Sequence, residues 1–194
     1  MQTRLPAAFL ASPAGGEADR ILRNCVHCGY CNATCPTYQL LGDELDGPRG
    51  RIYLMKRMFE TGAATERTRR HLDRCLTCRN CETTCPSGVE YGHLLDIGRT
   101  WIESHAPRPA GERLKRAGLR RALLSPNLFG GLLKLARAVR GLLPEPLSRR
   151  VPEPRPAPAW PARRHARRML VLDGCAQPDL DPGINAQAAR VLDR

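Results

Sequence analysis

The sequence predicts a mainly α protein: a helical domain built around two cysteine arrays, then basic helices, a proline-rich linker and the start of an incomplete α/β domain. Three observations carry this. Eight of the nine cysteines lie in two copies of one pattern, CVHCGYCNATCP at 25–36 and CLTCRNCETTCP at 75–86. Between and after the arrays, apolar residues recur at helical spacing behind proline and threonine start signals. Alternating apolar and polar runs of the kind that mark half-buried strands are scarce.

In chain order, residues 1–16 read as a flexible arm. Arg4 followed by LPAAFLASPA has the outline of a leader, but Pro6 and Pro13 interrupt its apolar run and the charge is thin, so no leader is expected. A short helix over 17–24 delivers the chain to Cys25. In GPRGRIYLMKRMFETG, Pro48 opens a helix and Gly62 closes it, with Ile52, Met55 and Phe59 on one face. Thr65 is placed to cap a second, more polar helix that runs into Cys75. Each cysteine of the first array has a counterpart fifty residues later, so the span 17–106 reads as one pseudo-symmetric helical domain.

Residues 107–143 turn to basic, leucine-rich helix. Ser125-Pro126 is an N-cap and first-turn pair, followed by a stripe of Leu128, Leu132, Leu135, Val139 and Leu142, with Lys134, Arg137 and Arg140 away from it. Such a helix is expected to pack on its own protein or on a subunit ahead of a membrane surface. The linker at 144–167 begins PEPLSRRVPEPRPAPAWP, with seven prolines in eighteen residues, and ends in the basic cluster ARRHARR at 162–168. In 168–194, MLVLDG reads as a strand and INAQAARVLDR as the start of an amphipathic helix. One strand and one helix cannot close a core, so this is the opening of an incomplete α/β domain.

Composition narrows the partners. There are 31 basic and 19 acidic residues, a net charge of +12, which favours an anionic partner without choosing among lipid headgroups, nucleic acid and acidic protein. A nucleic-acid role would want aromatics interleaved with the basic residues. The chain has nine aromatic residues and its basic helices hold almost none, so no nucleic-acid partner is expected. No run approaches the ~20 apolar residues of a transmembrane helix. Neither G-x-G-x-x-G nor a P-loop occurs, so no flavin, nicotinamide or nucleotide is expected on this chain. Asp43, Glu44 and Asp46 in GDELDG read as a solvated loop, and the five histidines as surface or supporting groups.

The cysteines carry the chemistry. Both arrays read C-x₂-C-x₂-C-x₃-C-P. Tight spacing makes poor disulfides and good metal ligands, and thiolate–metal sites belong in a reducing compartment. Three thiolates at i, i+3 and i+6 can converge on one cubane, while the fourth, set back and followed by proline, is turned away. In two-cluster ferredoxin-type sites that fourth thiolate ligates the other cluster. On that arithmetic one [4Fe–4S] cluster takes Cys25, Cys28, Cys31 and Cys85, and the other takes Cys75, Cys78, Cys81 and Cys35. Zinc sites usually use two separated pairs and fit the arrays less well. Gly29 faces Arg79 and His27 faces Thr77 in the alignment of the two arrays, so two unequal reduction potentials are expected. Two cubanes with no substrate site describe an electron wire, and no catalytic residue is assigned.

The stretches CVHCGYCNATCPTYQLLGDELDGPRGRIYLMK, HLDRCLTCRNCETTCPSGVEYGHLLDIGR and LDGCAQPDLDPGINAQAARVLDR resemble the iron–sulfur subunits of bacterial glycolate oxidase, also called glycolate dehydrogenase. The resemblance runs from about residue 17 to the end and is most specific between Cys25 and Arg99. Related cluster-pair subunits serve anaerobic glycerol-3-phosphate dehydrogenase, lactate utilisation and heterodisulfide reductase, and share the arrays. YQLLGDELDGPRGRIYL and CLTCRNCETTCPSGV favour glycolate oxidase among them. The resemblance implies a cytoplasmic complex at the inner face of the membrane. In it, flavoprotein subunits carrying FAD oxidise glycolate, and D-lactate as a further substrate. This subunit passes the electrons to a non-oxygen acceptor such as a quinone. It also implies that Cys175, in VLDGC, is the first cysteine of a CCG domain whose later cysteines are not in this sequence.

Overall fold

Helices supply all the regular structure among the described residues of the computed structural model, which are 1–156, 158–162, 166 and 169–193. The chain divides into two units, Met1–Arg108 and Pro109–Arg194.

The first unit is written twice. Helix α1 (Ala7–Leu10) precedes α2 (Pro13–Asn24), which leads into the first array. Within that array Tyr30–Ala33 make a single turn, α3, and Pro36–Leu41 make α4 directly behind Cys35. A 3₁₀ turn at Glu44–Asp46 then feeds α5 (Pro48–Thr61), which stops at Gly62 with φ +68°. The second copy repeats the plan with α6 (Glu66–Asp73), the single turn α7 (Asn80–Thr83) and α8 (Tyr91–His105). Thr65 caps α6 as expected, its hydroxyl accepting the Thr68 N–H at 3.1 Å.

The four longer helices of this unit enclose one aliphatic core. Ile21 and Leu22 of α2, Met55 of α5, Leu72 of α6 and Leu94 and Leu95 of α8 are all fully buried. Each such side chain contributes roughly 1.5–3 kcal/mol of burial. The expected inward face of α5, Ile52, Met55 and Phe59, is the one that is buried. A Cβ on Gly98 would stand 2.5 Å from Met55 Sδ, so α8 approaches α5 as closely as a glycine allows.

Residues 1–16 do not form a flexible arm. Leu5 is buried, the Phe9 ring stacks on Phe59 at 4.9 Å between centroids, and the Arg4 N–H donates to Glu60 at 2.8 Å. Helix α2 also starts four residues earlier than expected. Ser12 caps it by accepting the Gly15 N–H at 3.0 Å, and Pro13 fits the first turn.

The second unit contains α9 (Ala110–Leu124), α10 (Pro126–Ala138), α11 (Glu145–Ser148), α12 (Gln177–Leu180) and α13 (Gly183–Leu192). Helix α10 begins at Ser125-Pro126 as expected, although Ser125 makes no side-chain cap bond. Its rotation differs from the stripe read in the sequence. Gly130 and Leu133 face inward, while Leu128, Leu132, Leu135 and Leu142 are exposed. The cause is α12: its Asp179 carboxylate lies 2.8 Å from where a Gly130 Cβ would stand, and the Asp179 carbonyl accepts from Arg137 at 3.2 Å. The strand expected in MLVLDG does not form, and Met169, Leu170 and Leu172 are exposed. No second strand exists among the described residues to satisfy its backbone groups. The basic cluster at 162–168 lies largely outside the described residues.

Candidate iron–sulfur site

Each array bends the chain twice into the left-handed region. His27 and Thr77 do so at φ +61° and +57°, and Gly29 and Arg79 at φ +90° and +60°. The equivalence holds position by position, so the two loops follow one path in spite of different residues. Three of these four residues carry a Cβ, and each costs of the order of 1–2 kcal/mol in that conformation. Strain of this kind gathers where geometry is imposed on a site. A Cβ on Gly29 would fall 2.7 Å from Arg49 Nη1, so a side chain there would displace the end of Arg49. Arg79 tolerates its side chain because Glu82 holds it at 2.7 Å and also accepts the Gly92 N–H at 2.6 Å.

The loops fold inward on two cavities. One is lined by Cys25, Cys28, Cys31 and Cys85, and also by Cys81. The other is lined by Cys75, Cys78, Cys81 and Cys35. The structure therefore brings the fourth cysteine of each array to the cavity of the other. Pro48, Cys81 and Tyr91 line both and form the partition. Cys175 belongs to the second unit and is exposed.

The donor set can be tested against the candidate groups. None of the nine cysteines is in a disulfide. A tetrahedral zinc with Zn–S bonds of ~2.3 Å holds its sulfurs about 3.8 Å apart. Among the described residues no three cysteine sulfurs lie within 4.8 Å of one another, so each set is spread too widely for a single ion and suits a larger cluster. Burial, followed by the neighbouring Cys25, pushes the Cys31 thiol up to about 11. Burial and then Cys75 push Cys81 up to about 12. Such thiols stay protonated at neutral pH unless a cationic metal group displaces the proton. Iron–sulfur clusters supply that charge and reach several sulfurs at once, so the residues fit the group.

A polar network behind the second cavity had no clear sequence signal. Asp46 is completely enclosed rather than part of a solvated GDELDG loop. Its carboxylate meets Arg74 Nη1 at 2.7 Å, His71 Nδ1 at 2.9 Å and Arg51 Nη2 at 3.5 Å. Burial opposes its ionisation, but the His71 and Arg74 hydrogen bonds outweigh burial and hold the carboxyl below its usual value. Arg51, 1 % exposed, donates through Nε to the His71 carbonyl at 2.7 Å and points Nη1 at Cys35 Sγ, 4.0 Å away. On the far side the Tyr91 hydroxyl donates to Cys75 Sγ at 3.6 Å. Burial, and then the Cys75 charge, raise the Tyr91 phenol well above its ordinary value, so it remains a donor. Asp43, Asp46 and His71 come close enough to suggest a cation site, but Arg51 and Arg74 already match the Asp46 charge. One signal for Arg51 was available: it lies four residues before Met55 and seven before Met58, on the buried face of α5.

Comparison with known proteins follows the same lines. Residues 21–89 match the family model described as a 4Fe-4S dicluster domain, so the cofactor of this span is a pair of [4Fe–4S] clusters. Over its whole length the chain is 56 % identical to the glycolate oxidase iron-sulfur subunit of Escherichia coli (strain K12), of which it covers 48 %. It is 45 % identical over 100 residues to the probable glycolate oxidase iron-sulfur subunit of Bacillus subtilis (strain 168). That match takes in 49 % of this chain and 22 % of the relative. The chain thus spans about half the length of the first relative and less of the second. No solved structure matches it.

Proposed function

We propose that this chain is the electron-carrying iron–sulfur subunit of a flavin-dependent complex that oxidises glycolate, and D-lactate as a further substrate. The reading rests first on the crossed placement of the fourth cysteines. Cys25, Cys28, Cys31 and Cys85 would hold one [4Fe–4S] cluster, and Cys75, Cys78, Cys81 and Cys35 the other. Each cluster takes and releases one electron at a time. The chain's own part is to keep the two cavities adjacent, separated by Pro48, Cys81 and Tyr91. Cross-ligation would also tie the two halves of the unit together, as a staple does for a small core.

The substrate chemistry would belong to flavoprotein partners carrying FAD. The whole-chain likeness to a glycolate oxidase iron-sulfur subunit supports this. So do the leucines that α9 and α10 leave exposed, among them Leu114, Leu119, Leu128, Leu132 and Leu135, which offer a subunit an apolar face rimmed by arginine. From the clusters electrons would go to a non-oxygen acceptor such as a quinone, at the cytoplasmic face of the membrane. Among the described residues no helix is long and apolar enough to cross one.

The test is anaerobic mixing of the iron-loaded chain with the flavoprotein subunits, then glycolate. Electron paramagnetic resonance (EPR) should show reduced clusters within the turnover time. A flavin that bleaches with glycolate while the clusters remain oxidised would rule the assignment out.

A further inference from the structure

The two cavities differ in what faces their sulfurs, and the difference has a direction. Building on the ligand sets proposed above, we propose that Arg51 and Tyr91 make the cluster of Cys75, Cys78, Cys81 and Cys35 the more readily reduced of the pair. An electron reaching the other cluster would then pass to this one. The first cluster is oxidised by one electron, the second is reduced by one, and no proton need move.

Reduction adds a negative charge that is spread over the sulfurs, so fixed donors and cations at those sulfurs raise the potential. The second cavity has them. The Tyr91 hydroxyl and the Thr77 N–H both point at Cys75 Sγ, at 3.6 Å and 3.5 Å. Arg51 Nη1 lies 4.0 Å from Cys35 Sγ. The Thr37 hydroxyl, 3.2 Å from that same sulfur, donates to the Asp46 carbonyl at 2.8 Å and accepts from both terminal nitrogens of Arg51 at 3.1 Å, so it fixes Arg51 beside the sulfur. Asp46 offsets the Arg51 charge only in part, because the carboxylate is shared with Arg74 and His71. Arg51 is also almost wholly enclosed, so water does little to screen it.

Around the first cavity the pattern is weaker. The His27 N–H bonds to Cys25 as the Thr77 N–H does to Cys75, so those backbone donors match, and the difference lies in side chains: among the described residues none donates to Cys25, Cys28, Cys31 or Cys85. The side-chain group facing Cys31 is the Asn32 amide oxygen at 4.0 Å, an acceptor. The cations beside this cavity are Arg49, tied to Glu44 at 2.5 Å, and the Met1 ammonium, which donates to the Leu22, Arg23 and Cys25 carbonyls rather than to a sulfur.

The test is an anaerobic redox titration of the iron-loaded 194-residue chain, followed by EPR. Cys78→Ser, which touches only the second cluster, identifies the midpoint that belongs to it. That midpoint should be the higher of the two. Tyr91→Phe should lower it by up to about tenfold in the reduced-to-oxidised ratio, or about 59 mV for one electron, and leave the other unmoved. Arg51→Gln should shift it the same way, and Arg51→Lys should restore part of the shift. If Arg51→Gln fails to load iron, Tyr91→Phe decides alone. The inference is overturned if the midpoint altered by Cys78→Ser is the lower one. It is equally overturned if Tyr91→Phe moves neither midpoint, or moves the other one, in a protein that holds both clusters. Wild-type chain without about eight irons and eight sulfides instead refutes the ligand sets, a separate outcome.

Discussion

Asp46 shows how a residue outside the ligand set shapes the site. It is enclosed, accepts from two arginines and a histidine, and its backbone carbonyl accepts the Thr37 hydroxyl beside Cys35. Its carboxyl is held below the usual value. The stabilisation is therefore complete above the unfolded value of ~3.9 and is lost as pH falls through the lower folded value. Urea unfolding should show stability declining below about pH 4. Asp46→Asn should remove this group's share of that decline and cost roughly 3–5 kcal/mol at neutral pH, because Arg51 is left buried without its counter-charge. Equal stability of the two proteins at pH 7 would contradict it. The eight clustered cysteines were legible in the sequence because each array keeps its ligands within eleven residues. The meeting of Asp46, Arg51, His71 and Tyr91 was not, because it depends on how α5, α6 and α8 pack; helical spacing places Arg51 on the buried face of α5 but does not report its partners.

At the scale of elements, legibility followed the strength of local start and stop signals. Pro48 and Gly62 bound α5, and Thr65 begins α6, where the sequence put them. The Ser12-Pro13 pair is a start signal of the same kind, and it sets the beginning of α2 inside the span expected to be an arm. The rotation of α10 and the missing strand at 169–174 were beyond local reading, since the first is set by Asp179 of α12 and the second needs a partner strand. Packing between elements gives the sharper expectation. Gly98→Ala places a Cβ 2.5 Å from the buried Met55 Sδ and should destabilise the first unit by about 1–3 kcal/mol. Thermal unfolding of the loaded protein would measure it, and an unchanged midpoint would mean that α5 and α8 are not in such close contact.

For the whole molecule, two units divide the work. The first surrounds eight of the nine cysteines, and the second presents exposed leucines between arginines. If that face receives a flavoprotein subunit, replacing Leu128, Leu132 and Leu135 with glutamate should abolish co-purification and leave the iron content of the chain unchanged. Retained association would move the docking surface elsewhere. The crossed ligand sets are the premise beneath every other proposal, and they make a demand that no uncrossed arrangement shares. The most direct measurement is the EPR spectrum of the reduced, iron-loaded Cys85→Ser protein beside those of Cys25→Ser and Cys75→Ser. Cross-ligation requires Cys85→Ser to lose the same signal as Cys25→Ser, from the opposite array. Loss of the signal that Cys75→Ser loses would show that each array holds its own cluster and would contradict the assignment.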